Sequence, residues 1–298
     1  MTAVRRPAVV CNPASVEDID LLAKQIRTRC SALGAADPLW YETTPEDLGA
    51  GQSRQALAAG ADLVLACGGD GTVAACAGIL AGTGVPLALV PVGTGNLLAR
   101  NVAVPLDPEA ALDVAFGPHR RHLDVLESAD HRFVVMAGLG FDAALIRDTD
   151  DEVKARIGWP AYLAGAARAV RRTPPASYTI TVDDGPALQR RALGVLVGNV
   201  GRLQAGLRVL PDAKPDDGVI DVGVLEPRRW RDWPVLALRI LARRPDSGPQ
   251  AEILRGRQVQ ISCDQEVPLE YDGDHVGQTR ALRVHVLNEA LVLCVPPS

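Results

Sequence analysis

The sequence predicts an α/β domain followed by a second, β-rich domain. Between residues 1 and 124, short apolar runs alternate with segments of helical spacing. After Leu123 most segments have the pattern of strands, and turn residues separate several of them. Short apolar strands that alternate with helices are typical of a parallel sheet covered on both faces. The 298 residues are long for one hydrophobic core and sufficient for two domains.

The composition is that of a soluble globular protein, with 47% hydrophobic and 22% charged residues. Lys and Arg number 31 against 36 Asp and Glu, and this net charge of -5 is unlike that of a general nucleic-acid binder. The six cysteines lack Cys-x-x-Cys or zinc-finger spacing, so we expect buried, reduced thiols. No apolar stretch approaches 18 residues and no secretory signal is evident, which predicts a cytoplasmic protein without a transmembrane segment.

The first domain is expected to begin with the strand Pro7–Cys11, which Asn12-Pro13 ends. A helical spacing follows from Glu17 to Leu33. Two further strand–helix pairs come next, with strands at Ala61–Cys67 and Val85–Val90 and helices at Thr72–Leu80 and Leu97–Asn101.

The second domain is expected to be mainly antiparallel, because its strand patterns follow one another through turn residues. Two helical segments interrupt them, at about 152–172 and 230–244. The predicted strands are His131–Ala137, Ser177–Val182, Leu193–Val197, Val219–Leu225, Gln258–Cys263 and Ala281–Val286.

The segment Gly68-Gly69-Asp70-Gly71-Thr72 follows an apolar strand and precedes a helix. Glycines there would let the backbone approach a ligand closely and adopt positive φ. The helix N-terminus supplies free N–H groups and a partial positive charge. Together these features predict a phosphate-binding loop. The alternative is an ordinary strand–helix turn.

A second loop of similar chemistry follows the next strand, at Pro91–Asn96. Loops at consecutive strand ends of an open α/β sheet meet at one crevice, where such sheets bind ligands. Thr94 and Asn96 add hydrogen-bonding side chains. In the simpler alternative, Asn96 only caps the following helix.

These motifs resemble the diacylglycerol kinase catalytic-domain family of bacterial lipid kinases, which is related to sphingosine, ceramide and NAD kinases. They occur in family order and cover nearly the whole chain. The matching segments are Asn12-Pro13-Ala14-Ser15, Thr43-Thr44, Gly68–Thr72, Pro91–Arg100, Leu123-Asp124-Val125, Gly138–Ala143, Pro215–Gly218 and Tyr271–Asp274.

The resemblance implies an N-terminal three-layer α/β nucleotide-binding domain followed by a β-sandwich-like second domain, with the active site between them. The ATP-binding domain would comprise residues 1–124 plus about 288–298, and the lipid-substrate domain residues 125–287. The residues implied in binding ATP are Thr44, Gly68, Gly69, Asp70, Gly71, Thr72, Thr94 and Asn96.

The resemblance also implies catalytic and metal-binding carboxylates. Asp272 would be the general base, and Asp274 stands where the family usually has Glu. The Mg²⁺ associated with the nucleotide would be held by Asp70 and Asp124, although Leu97 replaces an Asp common in the family. A structural Mg²⁺ would bind the Asp217 carboxylate and backbone oxygens of Lys214 and Val219. For both Asp-Gly segments a tight hairpin turn is the alternative.

The function implied is that of an ATP- and Mg²⁺-dependent lipid kinase in phospholipid biosynthesis, with diacylglycerol as the default lipid substrate. The alternatives are an NAD kinase-like enzyme and a catalytically silent nucleotide- or lipid-binding protein. Arginines and Trp230 and Trp233 in the segment 228–244 suggest contact with the inner membrane surface, although a packed helix explains them equally well. The oligomeric state stays open, a homodimer included.

Overall fold

A computed structural model describes residues 4–129, 131–140, 175–201, 209–225 and 251–297. They divide into two compact units, the first drawn from Met1–Val125, His131–Val134 and Leu287–Ser298. The second is drawn from Leu126–Asp130 and Val135–Val286. The predicted helices at about 152–172 and 230–244, and with them the proposed membrane segment 228–244, lie outside the described residues.

A parallel sheet forms the centre of the first unit. Its strands are β1 (Pro7–Cys11), β2 (Leu39–Glu42), β3 (Leu63–Gly68) and β4 (Leu87–Pro91), in the order β2-β1-β3-β4. The end of a later strand, β14 (Asp274–Cys294), adds to the sheet beside β4, where Leu293 pairs with Leu87 in parallel. Every residue of β1, β3 and β4 is buried, so the sheet is covered on both faces.

Helices cover both faces of this sheet. They are α1 (Ile19–Ala32), α2 (Ala50–Ala58), α3 (Asp70–Leu80), α4 (Leu97–Asn101) and α5 (Pro108–Phe116). Residues of α1 and α5 share one core with alternate residues of β1 and β3. On the other face, Gly49 at the start of α2 lies close to Val10 of β1 and Cys76 of α3. Since neighbouring strand residues point to opposite faces, the unit has three layers, and the predicted parallel α/β arrangement is confirmed.

The helix starts follow ordinary capping chemistry. Asp18 precedes α1 and accepts a hydrogen bond from the Leu21 N–H, and Asp107 does the same for α5 through Ala110. Pro108 then opens α5, a position where its missing N–H costs nothing. The first unit also contains the beginning of β5 (Arg120–Ser128) and the short β6 (His131–Phe133).

The second unit is antiparallel among its described strands. These are β7 (Met136–Gly140), β8 (Ala176–Val182), β9 (Leu188–Ala192), β10 (Gly194–Gly198), β11 (Ile220–Leu225), β12 (Ala251–Gly256) and β13 (Gln258–Tyr271). One run has the order β12-β11-β10-β7-β13. β13 belongs to two strand groups, because Val259–Cys263 pair with β8 while Leu269–Tyr271 pair with β7. It also forms a long hairpin with β14.

Two further expectations can be compared with the structure. All six cysteines are free thiols, and each is buried except Cys263, which is half-buried. Within the ranges that the structure describes, no helix is both long enough and apolar enough to span a bilayer.

Candidate functional site

Four loops leave the parallel sheet at its carboxyl edge. They follow β1 at Asn12, β2 at Thr43, β3 at Gly69 and β4 at Val92. Backbone hydrogen bonds continue past the strand ends, from the Asn12 N–H to Cys67 O (2.8 Å), from the Thr43 N–H to Cys11 O (2.8 Å) and from the Val92 N–H to Gly68 O (3.2 Å). The loops predicted from sequence therefore lie side by side in the first unit.

The Gly68–Thr72 loop runs directly into α3. Gly69 is the residue before this helix, and it has no side chain of its own to cap the N–H groups of the first turn. Its φ of -91° is ordinary, so the expected positive φ is wrong for this glycine. What Gly69 supplies is the absence of a side chain. Within the described part of the chain, a Cβ at this position would have only the Gly93 Cα nearby, at 3.5 Å, so the position is open.

The second loop packs against the first through Gly93. A Cβ placed on Gly93 would lie 2.5 Å from the Gly69 Cα and 3.2 Å from the Gly69 nitrogen. No real Cβ is found that close to backbone, so a side chain at position 93 requires one loop to move. Glycine at this position therefore serves the close approach of two backbones.

A carboxylate joins the two loops. Leu97 is the first residue of α4, and its N–H donates a hydrogen bond of 2.5 Å to Asp70 Oδ1. Asn96 precedes α4 with φ 50° and ψ 48°, and its side chain makes no cap. Instead, the Asn96 amide donates to Gly93 O at 2.6 Å. Asn96 is thus the N-cap residue of α4 by position, as the simpler alternative has it, but the side-chain hydrogen bond to the helix start comes from Asp70 of the neighbouring loop.

The three threonines predicted to bind ATP differ in exposure. Thr72 is buried, and its side chain fills the place that a Cβ on Gly68 would need. Thr44 is exposed beyond β2 and accepts a hydrogen bond from the Asp47 N–H at 3.2 Å through Oγ1. Thr94 is exposed as well. Thr44 and Thr94 therefore present hydroxyl groups at the surface, whereas Thr72 has a packing role.

Asp124 is fully buried in β5. Its Oδ1 accepts a hydrogen bond from the Glu289 N–H at 2.7 Å, and Glu289 has a φ of +52°. The carboxylate thus secures a bend within β14. This enclosed position suits a structural carboxylate better than a ligand of Mg²⁺, an ion that usually keeps several waters.

The segment Tyr271–Asp274 is a tight hairpin turn, as the alternative interpretation predicts. Tyr271 pairs with Asp274, and the central residues Asp272 and Gly273 have φ values of +49° and +95°. Positive φ at both central residues is the requirement of a type I′ turn. Asp272 is nevertheless only 6% exposed, which a turn alone does not require.

Backbone amides hold the Asp272 carboxylate in one orientation. Its Oδ1 accepts hydrogen bonds from the Val135 and Met136 N–H groups, both at 2.9 Å. The Asp272 N–H in turn donates to Met136 O at 2.8 Å. The adjacent Tyr271 hydroxyl donates to the buried Ser128 Oγ at 3.0 Å. Asp274 is exposed over much of its surface, although partial burial raises the pKa of its carboxyl.

Asp217, in the Asp-Asp-Gly turn before β11, has an ion-pair partner that the sequence did not indicate, namely Arg255 of β12. Asp217 Oδ1 accepts the Val219 N–H at 3.2 Å, and Asp217 Oδ2 lies 2.7 Å from Arg255 Nη2. Lys214 is exposed nearby. Throughout the described part of the chain, no three His, Cys, Asp or Glu side chains are grouped so that they could hold a metal ion. The sequence-predicted metal roles of Asp70, Asp124, Lys214, Asp217 and Val219 stay predictions.

Comparison with known families agrees with both units. The diacylglycerol kinase catalytic domain matches residues 6–128, and the YegS C-terminal NAD kinase beta sandwich-like domain matches residues 134–295. The chain belongs to the YegS-like branch of the diacylglycerol kinase family. The predicted family, the kinase class and the β-sandwich-like fold of the second domain are thereby confirmed.

Individual relatives support the same assignment. A protein of Pseudomonas putida named as a YegS-like lipid kinase is 33% identical over 253 residues, covering 81% of this chain and 80% of the relative. Its namesake in Pseudomonas fluorescens is 35% identical, but the match spans 58% of each chain, which is less than two thirds. The diacylglycerol kinase of Mycobacterium tuberculosis H37Rv is 27% identical, covering 78% of this chain and 68% of the relative.

Solved structures share the fold at lower identity. A diacylglycerol kinase structure from Bacillus anthracis has a TM-score of 0.79 at 23% identity, covering 100% of this chain and 99% of the other. An NAD kinase from Archaeoglobus fulgidus, solved with ATP, has a TM-score of 0.55 at 13% identity and covers 97% of this chain and 93% of its own. These likenesses concern the fold alone.

Proposed function

We propose that the protein is an ATP- and Mg²⁺-dependent lipid kinase that transfers the γ-phosphate of ATP to a lipid hydroxyl, with diacylglycerol as the default substrate. The observation that carries the proposal is the joined pair of glycine loops in the first unit, tied together by Asp70 and Leu97. The printed names of the relatives, lipid kinase and diacylglycerol kinase, support the acceptor class.

The first unit would bind the ATP phosphates at Gly68–Thr72. Gly69 places no side chain of its own over the backbone N–H groups of the α3 N-terminus, and such N–H groups are favoured partners of phosphate oxygens. Thr44 and Thr94 present exposed hydroxyls as further donors. The Mg²⁺ is proposed to enter as part of the MgATP substrate, where it neutralises phosphate charge.

Asp272 is proposed to receive or orient the proton of the attacking lipid hydroxyl. A general base needs a fixed position, and the Val135 and Met136 amides hold this carboxylate in a single orientation. Tyr271, the residue before Asp272 in the turn, is anchored by the hydrogen bond from its hydroxyl to Ser128. Asp274 would be an auxiliary carboxylate with a shorter reach than the Glu common in the family.

The acceptor also suggests where the protein works. A lipid hydroxyl lies at a bilayer surface and ATP is a cytoplasmic metabolite, so we propose peripheral action at the inner membrane surface. The predicted membrane contact is the segment 228–244, which the described residues do not include. A homodimer is compatible with this proposal but is not needed for it.

A transfer assay with labelled ATP separates the candidate functions. The acceptors are vesicles containing diacylglycerol, monoacylglycerol, ceramide, sphingosine, undecaprenol or phosphatidylglycerol, with NAD as a soluble alternative. We expect label in diacylglycerol. Label in NAD alone would favour an NAD kinase, and ATP binding without transfer to any acceptor would favour a silent binding protein.

The role of Asp272 can be tested against a matched turn residue, Asp183. Asp183 also begins a turn with positive φ (51°), and its Oδ1 accepts two successive amides, from Arg257 at 2.8 Å and Gln258 at 2.9 Å. Because Asn keeps an accepting oxygen, both Asp272→Asn and Asp183→Asn should fold.

We expect Asp272→Asn to lower turnover about 10²–10⁴-fold, the usual contribution of a positioned base. ATP affinity should stay within a few-fold, and Asp183→Asn should retain normal turnover. If Asp272→Asn keeps most of its activity with an unchanged Tm, Asp272 is a turn residue and not the base.

A further inference from the structure

Acidic side chains crowd the turn before β11. Gly218 adopts a φ of +70° there, which the tight backbone reversal requires. Four aspartates occur between residues 212 and 221, namely Asp212, Asp216, Asp217 and Asp221. The same ten residues contain a single lysine, Lys214. A cluster of this sign needs a nearby cation if one of its members is buried.

One member, Asp221, is fully buried. The antiparallel register of β11 and β12 places Arg255 directly opposite Asp221. Arg255 Nε donates to Asp221 Oδ1 at 2.9 Å, and Arg255 Nη2 donates to Asp217 Oδ2 at 2.7 Å. A single guanidinium therefore bridges the strand carboxylate and the turn carboxylate.

The contacts are those of an ion pair, because two guanidinium nitrogens of Arg255 lie 2.7 and 2.9 Å from carboxylate oxygens of Asp217 and Asp221. Among the described residues, the buried Asp221 Oδ2 has no hydrogen-bond partner, so the carboxylate depends on Arg255 for its compensation.

We propose that Arg255 takes the place of a divalent cation at the Asp-Asp-Gly turn, so that the second unit is stable without bound Mg²⁺. The residues at this turn do not fit a divalent ion while Arg255 is present. Mg²⁺ binds oxygen at about 2.0–2.1 Å, and the guanidinium nitrogen already lies 2.7 Å from Asp217 Oδ2. Two cations at one oxygen would repel each other, whereas the planar guanidinium matches two carboxylates at once.

The experiment measures the Tm of the full chain, without ATP, in MgCl₂ and in EDTA at matched ionic strength. The wild-type Tm should be the same in both solutions. Arg255→Ala should have a lower Tm than the wild type in EDTA, because it leaves Asp221 buried without a partner. Its Tm should then rise with MgCl₂ concentration and saturate, since the emptied position can accept the ion.

Arg190→Ala is the matched control. Arg190 makes a similar two-point ion pair with Glu252, at 2.6 and 3.1 Å, on half-exposed strand residues. Its variant should show a small loss of Tm and no response to MgCl₂. A wild-type Tm that falls in EDTA and recovers in MgCl₂ would overturn the proposal, and this measurement is informative even if Arg255→Ala does not fold. A folded Arg255→Ala chain without a saturable MgCl₂ response would also overturn it.

Discussion

Replacing Gly93 by alanine should destabilise the first unit and displace its phosphate loop. The added Cβ would lie 2.5 Å from the Gly69 Cα, so the two loops must separate by about 1 Å to reach an ordinary contact of roughly 3.5 Å. Forcing one extra methyl group into packed structure costs about 1–3 kcal/mol. The same movement stretches the bond from Asp70 to the Leu97 N–H, which is 2.5 Å long.

Gly69→Ala is the matched control for this substitution. The backbone of Gly69 is extended, with φ -91° and ψ -166°. Among the residues that the structure describes, its added Cβ would meet only the Gly93 Cα, at an ordinary 3.5 Å. A Gly-to-Ala change at an unstrained position alters stability little or adds about 0.4–1 kcal/mol. The control therefore carries the same methyl group at the same interface from the opposite side.

Thermal unfolding and ATP titration of both variants distinguish the two effects. At about 2–4 °C per kcal/mol, Gly93→Ala should lower Tm by several degrees and weaken ATP binding. Gly69→Ala should keep or raise Tm, yet weaken ATP binding because its methyl group covers the amides proposed to hold the phosphates. Equal Tm values for the two variants would refute the packing argument. Normal ATP affinity in Gly69→Ala would refute the assignment of Gly68–Thr72 as the phosphate-binding loop.

Three further predictions concern buried ionisable groups. Burial raises the pKa of Cys76 to about 12 and that of Cys11 to about 11, so these thiols stay protonated and enclosed at pH 8. Since Cys263 is half-buried while the other cysteines are buried, iodoacetamide at pH 8 should label Cys263 first in the native chain. Folding raises the pKa of both thiols, so their contribution to stability is complete below the unfolded pKa of 9.0 and is lost as pH rises towards 11–12. Tm measured as a function of pH should therefore fall above pH 9.0. Asp124→Ala should lower the free energy of unfolding by about 1–3 kcal/mol, because the Glu289 N–H loses its acceptor. Asp124→Asn keeps an accepting oxygen and should lower it less. Urea unfolding of both variants measures the difference.

The sequence was most informative where local patterns determine structure. The apolar runs predicted β1 without error and β3 and β4 to within two residues, because strands buried on both faces have uninterrupted apolar sequences. The two glycine loops were located for a similar reason, since Gly clusters between a strand and a helix leave a local signature. In contrast, the edge strand β2 and the helices α2 and α5 were not predicted, because their short, mixed segments lack a clear period.

Contacts between distant residues could not be predicted. Nothing in the segment around Arg255 indicates that the β11–β12 register places it opposite Asp221, 34 residues earlier. The capping of α4 by Asp70 likewise depends on how two loops meet, and not on the helix sequence, which suggested Asn96 instead. The twenty-one-residue β14 was recognised only around Ala281–Val286, because much of its length alternates or is polar.

The two turn aspartates show which observation makes Asp272 a candidate catalytic residue. Asp183 and Asp272 share nearly the same φ, and each accepts two successive backbone amides through one oxygen. Turn chemistry therefore explains the conformation and the hydrogen bonds of both. It does not explain their difference in burial, because Asp183 is exposed whereas Asp272 is only 6% exposed. Enclosing a carboxylate costs free energy that an exposed turn avoids, and a positioned proton acceptor is a use that would justify this cost.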